Sequence, residues 1–272
     1  LFVRGIRMRD IQIGIPCGYN SEHYVNFLLD SIRKTISDVD RTQVLLGQSK
    51  PEVNIQFIED SNPDFNIEVV KAFSSDIGSL GHGKCLDAML EHMTLEYGMM
   101  VDCDVAFLEK NWDIIMINEI RDNNVIIGAG TEKHHHHYYN FPFTIMALFK
   151  TDVLKEVEVS FMPSMENGVL VGKTLSEEDA HIFGRNVGDK IKLDTAWQLP
   201  LKLKPNGYTG TVLPHLSPRN GDEDVQFLAP DLRGDEYHMH GTPFFTHKGR
   251  SQSRSFHHDI NVVNWRNRQK EV

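Results

Sequence analysis

The chain is short of cysteine, of long apolar runs and of positive charge, and each shortage removes a class of protein. Of 272 residues only three are cysteine (Cys17, Cys85 and Cys103), an odd number without CxxC spacing. That argues against a disulfide framework and for a reducing compartment. No stretch of about eighteen apolar residues occurs, so no membrane span is expected. The opening residues, LFVRGIRMRD, lack the apolar core of a signal peptide, and Met8 reads as a candidate natural start. The expected compartment is the cytoplasm. A formal net charge of −10 argues against nucleic acid as a partner. An acidic protein that handles an anionic ligand needs local devices instead, such as a metal ion, a helix N-terminus or a few placed cations. No internal repeat or flexible linker is visible, so one domain over residues 1–272 is expected.

What is present has a regular order. DIQIGIP (10–16) reads as a strand that stops at a proline. SEHYVNFLLDSIRKTI (21–36) carries Tyr24, Phe27, Leu28, Ile32 and Ile36 at helical spacing, with Ser21 as N-cap. VNIQFIEDSN (53–62) reads as a second strand ending in acidic residues, and NIEVVKAF (66–73) as a third. GHGKCLDAMLEHMTLEYG (81–98) reads as an amphipathic helix with Cys85, Met89 and Met93 on its apolar face, and GMMVDCDVAFL (98–108) as a fourth strand. This alternation implies an α/β fold with a mostly parallel sheet and ligand groups at the strand C-termini. Later, NVIIGAG (124–130) and FTIMALF (143–149) read as strands, TDVLKEV (151–157) as a short helix, and LDTAWQLPLKLKPNGY (193–208) as a helix capped by Asp194.

Asp102 and Asp104 stand where the fourth strand should be ending. Positions i and i+2 of a strand face the same way, so both carboxylates can converge on one point. Like charges so placed are costly unless something positive lies between them. The pair suits a hard divalent cation, Mn²⁺ or Mg²⁺, with phosphate oxygens completing the coordination. The plainer reading is a turn-capping aspartate and one paired with a lysine such as Lys110.

Three motifs in order carry a resemblance. IPCGYNSEHYVNFLLDSI, FIEDSN and SLGHGKCLDAMLEHMTLEYGMMVDCDVAFLEKNW together resemble the nucleotide-sugar half of the GT-A fold glycosyltransferases, family-2-like, with a DxD motif. The resemblance covers about residues 10–115 and implies a single mixed, mostly parallel sheet flanked by helices. It implies a nucleotide-sugar-binding half at 10–108 and an acceptor-binding half with C-terminal loops at 109–272. Pro16, Tyr19 and Asn20 would border the base; Glu59 or Asp60 would hold uracil or ribose. Gly81, His82 and Lys84 would approach ribose or phosphate, and Asp102 and Asp104 the metal and the diphosphate. The second motif departs from the usual pair of aspartates, since this chain has Glu59-Asp60.

The resemblance also implies a C-terminal histidine as third metal ligand. HKGRS favours His247, with Lys248, Arg250 and Ser251 near the phosphates; His240 in HMHG is the rival, and His238 lies in the same segment. An imidazole among carboxylates favours Mn²⁺. For a general base the candidates are Asp194 in LDTAW and Asp222, with Glu223 and Asp224, in NGDEDV. Tyr138, Tyr139, Phe141 and Trp197 are candidate sugar-stacking aromatics, and the run His134–His137 receives no catalytic role. The function these readings support is metal-dependent glycosyl transfer from a nucleotide-diphosphate sugar, with a UDP-sugar favoured, to a saccharide or other hydroxyl acceptor. The rivals are a sugar-phosphate nucleotidyltransferase, a metal-dependent phosphoesterase and a non-catalytic nucleotide-sugar-binding module.

Overall fold

In the computed structural model, residues 10–76, 78–131, 137–228, 234–249 and 256–270 are described. The first half runs β1 (Ile11–Cys17), α1 (Glu22–Thr35), β2 (Thr42–Gln48), α2 (Ile55–Ser61), β3 (Asn66–Lys71), α3 (Ser79–His92), β4 (Tyr97–Val101) and β5 (Val105–Phe107). It continues through α4 (Trp112–Glu119), β6 (Asn124–Ala129), β7 (Phe143–Lys150) and α5 (Thr151–Glu156). Short elements follow: β8 (Met165–Glu166), β9 (Val169–Leu170), β10 (Gly172–Thr174), α6 (Glu177–Phe183), β11 (Lys190–Lys192) and α7 (Gln198–Leu203). The chain then forms β12 (Thr209–Leu213), β13 (His215–Leu216), β14 (Asp235–Met239), β15 (Thr242–His247) and α8 (Ile260–Gln269).

Seven strands form the main sheet in the order β12-β6-β7-β4-β1-β2-β3. β1 pairs in parallel with β2 and β4, and β2 with β3, while β7 runs antiparallel to both β4 and β6. Every residue of β1 is buried, as a central parallel strand covered on both faces requires. Ile11, Ile13 and Ile15 pack with Tyr24, Leu28 and Ile32 of α1, while Met89 of α3 and Met93 just past its end cover the other face with Leu45 and Met100. Each such aliphatic side chain contributes about 1.5–3 kcal/mol on burial. Gln12, buried within β1, is satisfied: its Oε1 accepts from the backbone of Thr94 and Leu95, and its Nε2 donates to Gln43. A second sheet, β13-β14-β15-β5, is antiparallel. Among the described residues no helix is long and apolar enough to cross a membrane.

Four sequence readings are corrected. Residues 53–62 are not a strand: Asn54 accepts from Phe57 N at 3.1 Å and caps α2, which buries only Ile58. The alternation of Val53, Ile55 and Phe57 imitates a strand, whereas the second strand is TQVLLGQ, residues 42–48. The stretch 98–108 is two strands, β4 in the main sheet and β5 in the second. Asp194 does not cap a helix, because Ala196 adopts a left-handed backbone (φ 68°) and α7 begins only at Gln198. Ser21 does occupy the N-cap position of α1, yet its Oγ donates back to Gly18 O rather than capping.

Candidate active site

Asp102 and Asp104 sit on the turn that carries the chain from one sheet to the other. Asp102 N still donates to Ile145 O, so β7 holds the chain one residue past β4. Val105 N then donates to Asp102 O and closes the turn, after which β5 pairs with β15. The last residue of β15 is His247, opposite Val105, and the next backbone amide, Lys248 N, donates to Asp104 O at 2.9 Å. This register brings His247 Nε2 to 3.3 Å from Asp104 Oδ1. One ligand atom from each of Asp102, Asp104 and His247 lies within 4.8 Å of the others. Two carboxylates and an imidazole at that separation fit a divalent ion with open positions for ligand oxygens.

The electrostatics agree with that fit. Burial disfavours the charged form of His247, but the Asp104 carboxylate and then Asp235 outweigh it, holding its pKa well above the ordinary imidazole value. His82 Nε2 lies 3.3 Å from Asp102 Oδ1. Burial opposes its charge too, and Asp102, then Asp194 and Asp104, raise its pKa nonetheless. Both imidazoles thus feel a negative field of the kind that holds a cation.

A cleft of about 380 Å³ opens on this turn, at the C-terminal ends of the parallel strands. Pro16 and Tyr19 line it from the end of β1, Ser49 and Lys50 from the end of β2, and Gly81 and His82 from the first turn of α3. Gly81 is there because of a close approach: a Cβ would stand 2.7 Å from Asp76 O. Lys50 Nζ is held by the carbonyls of Ser74 and Asp76 and lies 5.5 Å from the centroid of the Tyr19 ring.

The structure therefore gathers Pro16, Tyr19, Gly81, His82, Asp102, Asp104 and His247 around one cleft. It does not gather the rest. Glu59 and Asp60 ride on α2 and do not line the cleft, since the acidic segment is helical and the strand end belongs to Ser49 and Lys50. Asn20 is exposed in a left-handed turn (φ 58°). Lys84 turns to Asp76. His240 occupies the β14–β15 hairpin tip, 69% exposed and 3.4 Å from Glu119, at the opposite end of β15 from His247. His238 faces Glu236 at 2.5 Å. Lys248 is buried, and Arg250, Ser251 and His134–His136 lie outside the described residues.

Asp194 Oδ2 is 3.9 Å from His137 Nε2, and its charge is among those that raise the His82 pKa, but Asp194 is not one of the residues that line the cleft. Asp222 is engaged elsewhere, accepting from Ser217 N at 2.8 Å to close a turn. Glu223 and Asp224 are exposed. Tyr138 and Phe141 are buried in the core, Trp197 Nε1 donates to Met162 O, and Arg185 lies over the Tyr139 ring. The sequence reading missed Ser49, Lys50, Asp76 and Ser79, all lining the cleft, and Asp235 and His215 behind His247. For the first pair the missing signal was the apolar run of β2, which ends at Gln48.

No protein-family model matches the chain, and no curated protein matches it in sequence. Solved structures do. The mannosyltransferase PcManGT from Pyrobaculum calidifontis, in complex with GDP-Man and Mn²⁺, aligns at TM-score 0.50 and 14% identity over 76% of this chain and 55% of that one. S. aureus TarS 1-349 in complex with UDP-GlcNAc aligns at TM-score 0.48 and 17% identity, over 75% and 56%. The chain spans little more than half the length of these two structures. With the strand order above, the first alignment assigns the GT-A glycosyltransferase fold.

Proposed function

We propose that this chain is a metal-dependent glycosyltransferase that uses a nucleotide-diphosphate sugar. The observation that carries the reading is the Asp102–Asp104–His247 group at the floor of a cleft on the C-terminal edge of the parallel strands. Residues 10–108 are the donor-binding half in this reading, and 109–272 supply His247 and the acceptor side. Asp102, Asp104 and His247 would hold Mn²⁺ or Mg²⁺; Mn²⁺ is favoured by the imidazole, and the PcManGT structure contains Mn²⁺. When bound, that ion supplies electrostatic relief for the charge that builds on a departing diphosphate.

The chain's own groups do the rest. Tyr19 offers an aromatic face at the cleft rim, half exposed, on which a base can stack, and Lys50 a fixed ammonium beside it. The first and third motifs, which contribute Pro16, Tyr19, Gly81, His82, Asp102 and Asp104 to the cleft, carry a UDP-sugar as our favoured donor, whereas Glu59 and Asp60 lend it no support, and the acceptor is a saccharide or other hydroxyl compound. Asp194, 3.9 Å from His137, takes the proton of the acceptor hydroxyl as its oxygen bonds to the anomeric carbon. The bond from that carbon to the diphosphate oxygen breaks in the same event, and the nucleoside diphosphate leaves.

The test is product analysis over a panel of UDP- and GDP-sugars, with and without Mn²⁺ and with hydrolysis counted. Release of nucleoside diphosphate that needs Mn²⁺ and falls about 10²–10³-fold in Asp104→Asn is expected. Pyrophosphate as product would instead support a nucleotidyltransferase and inorganic phosphate a phosphoesterase. Tight donor binding without turnover would support a non-catalytic module.

A further inference from the structure

His247 presents its two ring nitrogens to two different carboxylates. Nε2 faces Asp104, and Nδ1 lies 3.6 Å from Asp235 Oδ2. Among the described residues Nδ1 is buried with no hydrogen-bond partner within normal range, and the Asp235 carboxylate faces it. Behind Asp235 stands His215, whose Nε2 is 3.4 Å from Asp235 Oδ1. The register explains the alignment. Asp235 and His247 are directly opposite on β14 and β15, and His215 on β13 is opposite Tyr237, two residues along from Asp235 on the same face. All three side chains are largely buried, at 17%, 12% and 8% exposed.

We propose that Asp235 is a positioning residue for the metal site, and that His215 braces it. The inference rests on Asp102, Asp104 and His247 being metal ligands. A ligating imidazole must keep its proton on the nitrogen away from the ion, and a carboxylate at that nitrogen fixes both tautomer and ring orientation. Asp235 supplies that acceptor for Nδ1 and leaves the Nε2 lone pair directed toward Asp104 and the site. His215 occupies the second oxygen of Asp235, so the carboxylate cannot rotate away without losing a buried contact. Nothing in the sequence spacing marks Asp235, which lies twelve residues before its partner.

The test is titration of the full chain with Mn²⁺ alone, followed by calorimetry or by the loss of the free-ion EPR signal. Asp235→Ala is expected to weaken Mn²⁺ binding about 10–100-fold, and Asp235→Asn, which keeps one acceptor but no charge, part of the way. In a His247→Ala background Asp235→Ala should cost nothing further, because its effect passes through the ring. A loss of the same size in both backgrounds, or wild-type affinity in Asp235→Ala, overturns the proposal. Should Asp235→Ala not fold, His215→Gln gives the second reading: a several-fold loss supports the brace and unchanged affinity overturns it. A wild-type chain that does not bind Mn²⁺ removes the metal reading and this inference together, whereas a binding wild type with indifferent variants removes only the inference.

Discussion

At the scale of single residues, two aspartates that look alike in sequence separate by their partners. Asp194 Oδ2 lies 3.9 Å from His137 Nε2 and its charge is among those that raise the His82 pKa, while Asp222 Oδ2 accepts from the amide of Ser217. Asp194→Asn is therefore expected to lower kcat about 10²–10⁴-fold while donor affinity stays near wild type. Asp222→Asn should leave kcat within a few-fold and act on stability, by about 1 kcal/mol. Steady-state kinetics with calorimetric donor binding checks both, and equal losses in the two variants would contradict the assignment. The cleft residues visible in the sequence were those tied to strand ends or to the Gly-rich start of α3. Asp235 and His215 were not visible, because cross-strand register in a short antiparallel sheet decides them, and periodicity does not encode it.

At the scale of elements, the error over residues 53–62 has an energetic consequence. α2 is short and buries one side chain fully, so its placement depends on polar ties. Arg33 of α1 supplies them: its Nη2 donates to Asn62 Oδ1 at 2.9 Å and to Asp64 Oδ1 at 2.8 Å, and its Nε to Asp64 Oδ2. The hydrogen bond from Arg33 holds the Asp64 carboxyl below its ordinary pKa. A depressed carboxylate contributes stability above its unfolded pKa and loses it as pH falls through the folded value. Arg33→Ala should thus cost about 0.5–1 kcal/mol near neutral pH, both groups being partly exposed. The gap from wild type should close below the ordinary carboxylate range, as chemical denaturation at several pH values would show; a pH-independent gap would mean that Arg33 acts by packing. The sheet itself was largely legible, since β1, β3, β6 and β7 are strands at the expected places. The break between β4 and β5 was not, because both halves are equally apolar and only pairing partners distinguish them.

At the scale of the molecule, the proposed function asks a chain with a net charge of −10 to bring an anionic nucleotide to a cleft that already holds Asp76, Asp102 and Asp104. Lys50 and the two histidines offset part of that field, and a divalent ion would offset more of it and draw in a diphosphate. Metal and nucleotide should then bind as one coupled system, each raising the affinity of the other by the same factor. Titration calorimetry of UDP and of GDP, with and without Mn²⁺, measures that coupling on the intact chain. The account predicts that Mn²⁺ tightens one of these nucleotides by about tenfold or more, near 1.4 kcal/mol, and that Asp102→Asn abolishes the gain. Identical nucleotide affinity with and without Mn²⁺ would contradict it.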